Sequence, residues 1–341
     1  MPVCNIIKLK QLSPLHLGTG KIDQYDFSAS DLHSDTLSAA LAAIRAQQGK
    51  ASDTEDFLLS FSISSAFPYY NSSYFLPNLK GYLPIRTESI NGIPAIAKSD
   101  SPIRKENIHN QLKYIKYIDF PLWNRIASGD EISIDEVQLK SDFLLSLWAD
   151  FDLPYKSVVS QRIQVPKDSA DAHPFFFNWT YFHEKAGLFC FTDATDEKFD
   201  ELLHLFRELG EAGLGADRTV GGGQFEVEND TLQLPDIAEA NYIALLSLYI
   251  PEESEIKKLN LKSAKYGLLQ RGGFIAGSSE ESLRHLRKRT VYMFDTGSLF
   301  PTTEPLHGKI VNLRPVWNDE RLHPVYRSGR PFYLPVKINE I

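Results

Sequence analysis

Eleven consecutive residues of this 341-residue chain hold five glycines: Gly213, Gly215, Gly221, Gly222 and Gly223, with Arg218 between the two groups. Glycine lets a backbone approach a ligand closely and turn its N–H groups outward. A guanidinium beside it adds a charge-assisted donor, so the pattern suits binding of phosphate oxygens. A helix C-cap followed by a turn would account for Gly213 or Gly215 but not for the second group. Two familiar phosphate loops do not fit. Walker A needs a lysine and a hydroxyl residue after its glycines, and none follows here. The dinucleotide fingerprint runs from strand into helix, whereas these glycines follow a helical pattern (195–208) and precede an apolar extended one (Phe225–Val227).

Other chemistries find little support. The nine histidines are scattered, without HExxH or a pair at metal-ligand spacing, and no GxSxG elbow or Gly-Gly-Asp-Asp stretch occurs. Cys4 and Cys190 make neither a disulfide framework nor a CxxC zinc motif. No catalytic residue, metal or cofactor is expected. The exception to watch is His16 at the end of the first apolar segment, where a histidine could act as a general acid or base; a hydrogen-bonded loop residue is the competing reading. Hydrophobic residues at 43% and charged residues at 23% are globular proportions, and the length suits two domains. No run of about 18 apolar residues and no leader pattern is present, so a soluble cytoplasmic protein is expected.

The formal charge, 36 − 44 = −8, argues against a nucleic-acid partner only as an average over faces. Nine Lys/Arg fall between Lys257 and Arg289, among them Arg271, Arg284, Lys288 and Arg289, with Gly272-Gly273 as a turn after Arg271. From Glu226 to Glu239 there are five acids and no base. Such runs suit solvated faces, or else one basic face for an anion and one acidic face for something else.

The elements positioning these residues follow from periodicity. Val3 to Leu17 reads as a strand, and Ser34 caps a helix with Leu37, Leu41 and Ile44 on one face. A β-rich stretch from Phe57 to Leu76 carries Phe67, Tyr69, Tyr70, Tyr74 and Phe75, an aromatic hairpin suited either to an exposed tip or to a core. Residues 84–155 form a mixed insertion with a short helix over 142–148. Strands follow at Arg162–Val165, Phe175–Tyr181 and Leu188–Phe191, then a helix from Thr195 to about Glu208. The order strand–helix–strand–strand–helix–strand predicts a ferredoxin-like unit over 1–235, with a second module over 236–341.

These stretches resemble the RAMP superfamily of CRISPR-associated RNA-binding proteins, whose mark is a glycine-rich loop before the last strand of a ferredoxin-like domain. Pro14-Leu15-His16-Leu17-Gly18, Ser34-Asp35-Thr36-Leu37, Gly297-Ser298-Leu299-Phe300 and His323 to Gly329 are similar, in order, to motifs of the branch that supplies the fourth subunit of the type III-A Csm effector. Ala216, where that branch often has glycine, and the additional Gly222 depart from it. The resemblance implies an α+β protein of two ferredoxin-like (RRM-like) domains. Its implied role is a non-catalytic subunit that holds the 5′ tag of a guide RNA and meets a large polymerase/cyclase-like subunit and a RAMP backbone subunit. A hairpin thumb would wedge in near target RNA at the spacer start. On this basis the expected RNA contacts are His16, Ser34, Arg162, the loop Gly213, Gly215, Arg218, Gly221, Gly222 and Gly223, then Arg271, Gly272, Gly273, Lys288, Arg289 and Arg327. Phe67, Tyr69, Tyr70 and Phe75 are the expected thumb, and repeat-RNA cleavage through His16 is the alternative function.

Overall fold

A computed structural model describes residues 2–18, 28–29, 31–86, 108, 110–147, 151–164, 173–275, 281–283, 285–302 and 304–339. Pro102–Asn107, Trp148, Arg284 and the side chain of Arg162 lie outside the described set.

An eight-stranded sheet takes the spatial order Glu226–Gln233, Val3–Lys10, Ala186–Thr192, Phe67–Tyr70, Ser73–Pro77, Tyr117–Asp119, Phe143–Leu144, Leu139–Lys140. Its first four strands are antiparallel, with Ile7 opposite Cys190 on one side and Asn229 on the other, and Phe189 opposite Phe67. Alternation along Val3–Lys10 divides the molecule. Ile7 and Leu9 point to one face and Ile6 to the other, and all three are fully buried. Four helices matter to the argument: α1 (Ser34–Gln47), α2 (Thr54–Leu59), α3 (Phe120–Ala127) and α4 (Asp196–Ala212). The apolar stripes of α1 and α4, Leu37 and Leu41 with Leu202, Leu203, Phe206 and Leu209, cover the face of Ile7 and Leu9.

The opposite face is covered by the insertion and by the C-terminal unit. There Phe67, Phe75, Phe189 and Phe191 share one core with Ile118, Trp123 and Ile126 of the insertion and with Leu246, Phe332 and Val336 beyond residue 236. Phe191 stacks on Phe332 at 5.5 Å between ring centroids. Asp119 starts α3 by accepting the Leu122 N–H at 3.2 Å, and the Trp123 Nε1–H donates to the Pro77 carbonyl at 3.1 Å. The C-terminal unit has a three-stranded sheet, Leu299–Phe300, Tyr242–Leu245 and Tyr333–Val336, and two ribbons, Leu268–Arg271 with Val291–Phe294 and Ile310–Asn312 with Tyr326–Ser328.

Three expectations need correction. The aromatic hairpin is no exposed thumb: Phe67, Tyr69, Tyr70 and Phe75 are all buried, because their strands lie in the interior of the sheet with apolar layers against them. Phe57 to Leu59 belong to α2, whose Phe57 and Leu58 turn inward. The expected helix over 142–148 contains instead the strand Phe143–Leu144, which pairs in parallel with Tyr117–Ile118 and buries both side chains, as a helical face would not. The element that does project is a separate two-stranded ribbon, Tyr155–Gln164 with Phe175's strand His173–Phe182. Ten residues per strand at ~3.3 Å each give it a length of roughly 33 Å, with Phe177, Trp179 and Phe182 packed against the body and the opposite end extending away. Val158, Val159, Ile163, Phe176 and Tyr181 on it are exposed.

Candidate functional site

The glycine loop, residues 13–16 and the root of the long hairpin meet in one seam. Leu15 and Thr180 exchange both backbone hydrogen bonds at 2.9 Å, which ties the Pro14–His16 segment to the hairpin. On its other side this segment receives the loop: Gly223 N–H donates to Pro14 O at 3.0 Å and Ala216 N–H to His16 O at 2.9 Å. The glycines are required by proximity. A Cβ at Gly223 (φ +67°) would lie 2.0 Å from Leu214 O, at Gly215 (φ +83°) 2.3 Å from His16 O, and at Gly222 2.8 Å from the Trp179 ring.

Four of the five glycine N–H groups have partners within the protein. Gly213 donates to Leu209 O, Gly221 to Arg218 O, Gly222 to Asp217 O and Gly223 to Pro14 O. The expectation that these glycines offer their donors to a ligand is therefore corrected for those four: they set the loop's shape against its neighbours. What the loop presents to solvent is Arg218, exposed, beside Val220.

His16 is 2% exposed, its ring 4.4 Å from the Phe177 centroid and its Nδ1 2.8 Å from the carbonyl of Asn178. It pins loop, segment and hairpin together and does not face solvent, so direct contact with RNA is corrected to a supporting position. Arg162 lies in the hairpin opposite Phe175.

The second cluster of expected residues joins the two units. Ser34 is not the N-cap but the first residue of α1, with His33 before it. The Ser34 Oγ is buried and accepts the Leu248 N–H at 2.9 Å, so Ser34 is a tie between units and not an RNA contact. Next to it the fully buried Asp35 accepts from Arg271 through Nε at 2.8 Å and Nη2 at 3.0 Å, and from Arg327 Nη1 at 2.5 Å; Arg271 Nη2 also donates to Thr36 Oγ1 at 2.9 Å. Burial alone would raise the Asp35 pKa, but Arg327 and Arg271 outweigh it and hold the carboxyl at about 2. The turn Gly272-Gly273, with Gly273 at φ +95°, brings Lys288 back beside Arg271, and the Lys288 N–H donates to Gly273 O at 2.9 Å. Burial, then Arg327, pushes the Lys288 ammonium down to about 8, against the pull of Asp35. Three of the expected basic residues, Arg271, Lys288 and Arg327, thus come together. Arg289 is exposed outside the cluster and donates to the Asn312 carbonyl. Asp35 stands in sequence only as part of the Ser34-Asp35-Thr36-Leu37 stretch at a helix start, and nothing local marks the two arginines 236 and 292 positions away as its partners.

Among the described residues no group of three His, Cys, Asp or Glu could hold a metal ion, and no helix is long and apolar enough to cross a membrane.

The family described as the CRISPR Csm4 C-terminal domain matches residues 238–336. The CRISPR system Cms protein Csm4 of Thermococcus onnurineus (strain NA1) is 23% identical over 321 residues, covering 92% of this chain and 93% of the relative. The Csm4 of Streptococcus thermophilus is 22% identical over 330 residues, covering 95% and 96%. Among solved structures, a chain of the Csm1–Csm4 cassette in complex with cA4 superimposes with a TM-score of 0.61 at 20% identity, over 99% of this chain and 100% of that one. A chain of the Csm3–Csm4 subcomplex in the type III-A CRISPR-Cas interference complex gives 0.60 at 16% identity, over 98% and 99%. In sequence along its length the chain is similar to Csm4 proteins of CRISPR systems, its residues 238–336 match their C-terminal family model, and its fold is similar to that of chains in the Csm1–Csm4 and Csm3–Csm4 structures.

Proposed function

We propose that this chain is a non-catalytic, RNA-holding subunit of a type III-A CRISPR effector. It grips the 5′ repeat-derived tag of the guide RNA and joins a large polymerase/cyclase-like subunit, the counterpart of Csm1, to a backbone subunit, the counterpart of Csm3. The observation that carries the reading is exposed Arg218, mounted on a loop locked by its glycines against the root of the long hairpin. A rigid cation next to a projecting ribbon suits a single-stranded backbone, with the ribbon in place of Phe67–Phe75 as the thumb near target RNA. The exposed Val159, Ile163 and Phe176 give that ribbon apolar surface to set against bases. Two ferredoxin-like halves are part of the proposal. In the N-terminal half the antiparallel order of last, first, third and second strand, with α1 and α4 on one face, supports it. The seclusion of His16 speaks against its use as a general acid or base.

The test uses the full chain, alone and assembled with its partner subunits, and 5′-labelled guide RNA in EDTA, with binding and cleavage read on the same samples. Arg218→Glu should lower tag affinity roughly tenfold or more, the scale of a charge-assisted contact, with no new bands for either protein. Unchanged affinity would refute the assignment of the loop. Cleavage abolished by His16→Ala would establish a ribonuclease instead.

A further inference from the structure

We propose that the outer edge of the strand Glu226–Gln233 docks an extended, lysine- or arginine-bearing segment of a partner protein, which adds to the eight-stranded sheet as a further strand. Such docking is independent of RNA binding and gives the acidic stretch of residues 226–239 a role. Glu226–Gln233 is the terminal strand of the sheet, beside Val3–Lys10. The Leu234 N–H donates to Pro2 O at 2.9 Å, so the even-numbered residues of this strand face Val3–Lys10. Val227, Asn229, Thr231 and Gln233 therefore turn their backbone groups outward. Phe225 fits the same alternation, since its N–H donates away from Val3–Lys10, to Gly210 O at 3.2 Å. Among the described residues the outward Thr231 N–H is met by Asp230 Oδ1 at 2.8 Å, and no further strand pairs with this edge.

Sheet edges are ordinarily blunted, because a row of unpaired backbone groups recruits other chains. The opposite edge of this sheet, Leu139–Lys140, is only two residues long. Glu226–Gln233 has eight residues, pairs with Val3–Lys10 at every position without a bulge, and contains neither proline nor lysine. What it carries instead is charge of one sign. Glu226, Glu228 and Asp230 share one face, and the two lysines there, Lys8 and Lys10, both bind Glu228, at 3.0 and 2.6 Å. Glu226 and Asp230 are exposed and have neutral partners, the Gln11 amide at 3.1 Å and the Tyr74 hydroxyl at 3.1 Å. A second copy of this strand would set acid beside acid. A strand with a base at every second residue would instead place cations beside Glu226 and Asp230 while its backbone pairs with Val227, Asn229 and Gln233. Its intervening residues would lie beside Val227, Asn229 and Thr231, which suits threonine or valine.

The probe is a peptide of alternating lysine and threonine, long enough to span the strand, titrated against the full chain. A peptide of the same composition with its lysines in one block controls for bulk charge. Amide hydrogen exchange reads the contact residue by residue. The alternating peptide should slow exchange at Val227, Asn229 and Gln233, and the block peptide should not. Asn229→Pro removes one outward N–H without removing a bond to Val3–Lys10. It should abolish that protection and lower the affinity roughly tenfold. Glu226→Lys combined with Asp230→Lys leaves the backbone edge intact and should weaken the alternating peptide roughly fivefold, a reading that stands if the proline variant fails to fold. Arg218→Glu should leave peptide binding unchanged, which separates this edge from the loop proposed to hold RNA. Absence of binding, equal binding of the two peptides, or binding without protection of those three amides would overturn the site. Self-association of the free chain in sedimentation equilibrium, abolished by Asn229→Pro, would make a second copy the occupant and overturn the assignment of a basic strand.

Discussion

Replacing Asp35 by asparagine tests whether this carboxylate joins the two halves of the molecule. Asp35 is fully buried and accepts three guanidinium N–H groups, so removal of its charge leaves Arg271 and Arg327 facing each other with no counter-charge. Breaking a buried ion pair from one side costs about 3–5 kcal/mol, a large part of a total stability of roughly 5–15 kcal/mol. The pH dependence gives a second number. The folded carboxyl lies at about 2 and its ordinary value is 3.8. A difference of about 1.8 units at 1.36 kcal/mol each corresponds to about 2.4 kcal/mol. Because the folded value is depressed, this contribution is complete above pH 4 and disappears as pH falls from there towards 2. Urea unfolding at pH 7 should place Asp35→Asn about 3–5 kcal/mol below the wild type. The gap should narrow with acidification to the lowest pH at which the wild type remains folded. Pairing the variant with Arg271→Met should recover at least ~1 kcal/mol of coupling, because the two residues share a network. A gap below ~1 kcal/mol at pH 7, or one that does not change between pH 5 and pH 3, would refute the electrostatic account of the seam.

Two further predictions address packing. Gly223→Ala should destabilise by at least ~3 kcal/mol, combining a positive φ with a Cβ placed 2.0 Å from Leu214 O. Gly49→Ala, at φ +86° after α1 with open space around it, should cost only about 1 kcal/mol; equal costs in thermal unfolding would show that close approach is not what the loop glycine provides. Trp123→Ala should cost about 3–5 kcal/mol in chemical denaturation and leave a single transition, since the fully buried indole fills a core shared by the insertion and both units; two separated transitions would show that the core is not continuous.

The elements that sequence reasoning placed well are those whose signal is local. The alanine-rich α1, the apolar stripe of α4 and the start of the first strand follow from propensity and period; that strand ends at Lys10, seven residues short of the expected Leu17, and the helix after Thr195 runs on four residues past its expected end. The glycine loop was also visible, because five glycines in eleven positions are hard to explain without close approach. Its mechanism was not visible. Whether a glycine N–H faces a ligand or the carbonyl of Pro14 depends on a segment about 200 positions away. Aromatic content misled for a related reason. Phe67 to Phe75 and Phe175 to Tyr181 are both aromatic extended stretches, and period alone does not say which one enters the sheet and which one projects from it. The difference lies in the neighbours: Ala186–Thr192 and Tyr117–Asp119 flank the first pair of strands, whereas the second pairs as a strand with Tyr155–Gln164 and meets the body through the single Leu15–Thr180 bridge among the described residues.

The same reasoning explains why the charged seam escaped notice although all of its members had been singled out. Arg271 and Arg327 stand 236 and 292 positions from Asp35, so nothing in local spacing marks the three as partners. A run of basic residues at 257–289 reads as a solvated surface, and a surface arginine–carboxylate pair there would contribute at most about 1 kcal/mol. Placed at the N-terminal end of α1 and sealed by Ser34 and Leu248, the same residue types become buried, strongly coupled and costly to separate. Burial therefore turns an acid at a helix start into the tie between the two halves of this Csm4-like chain.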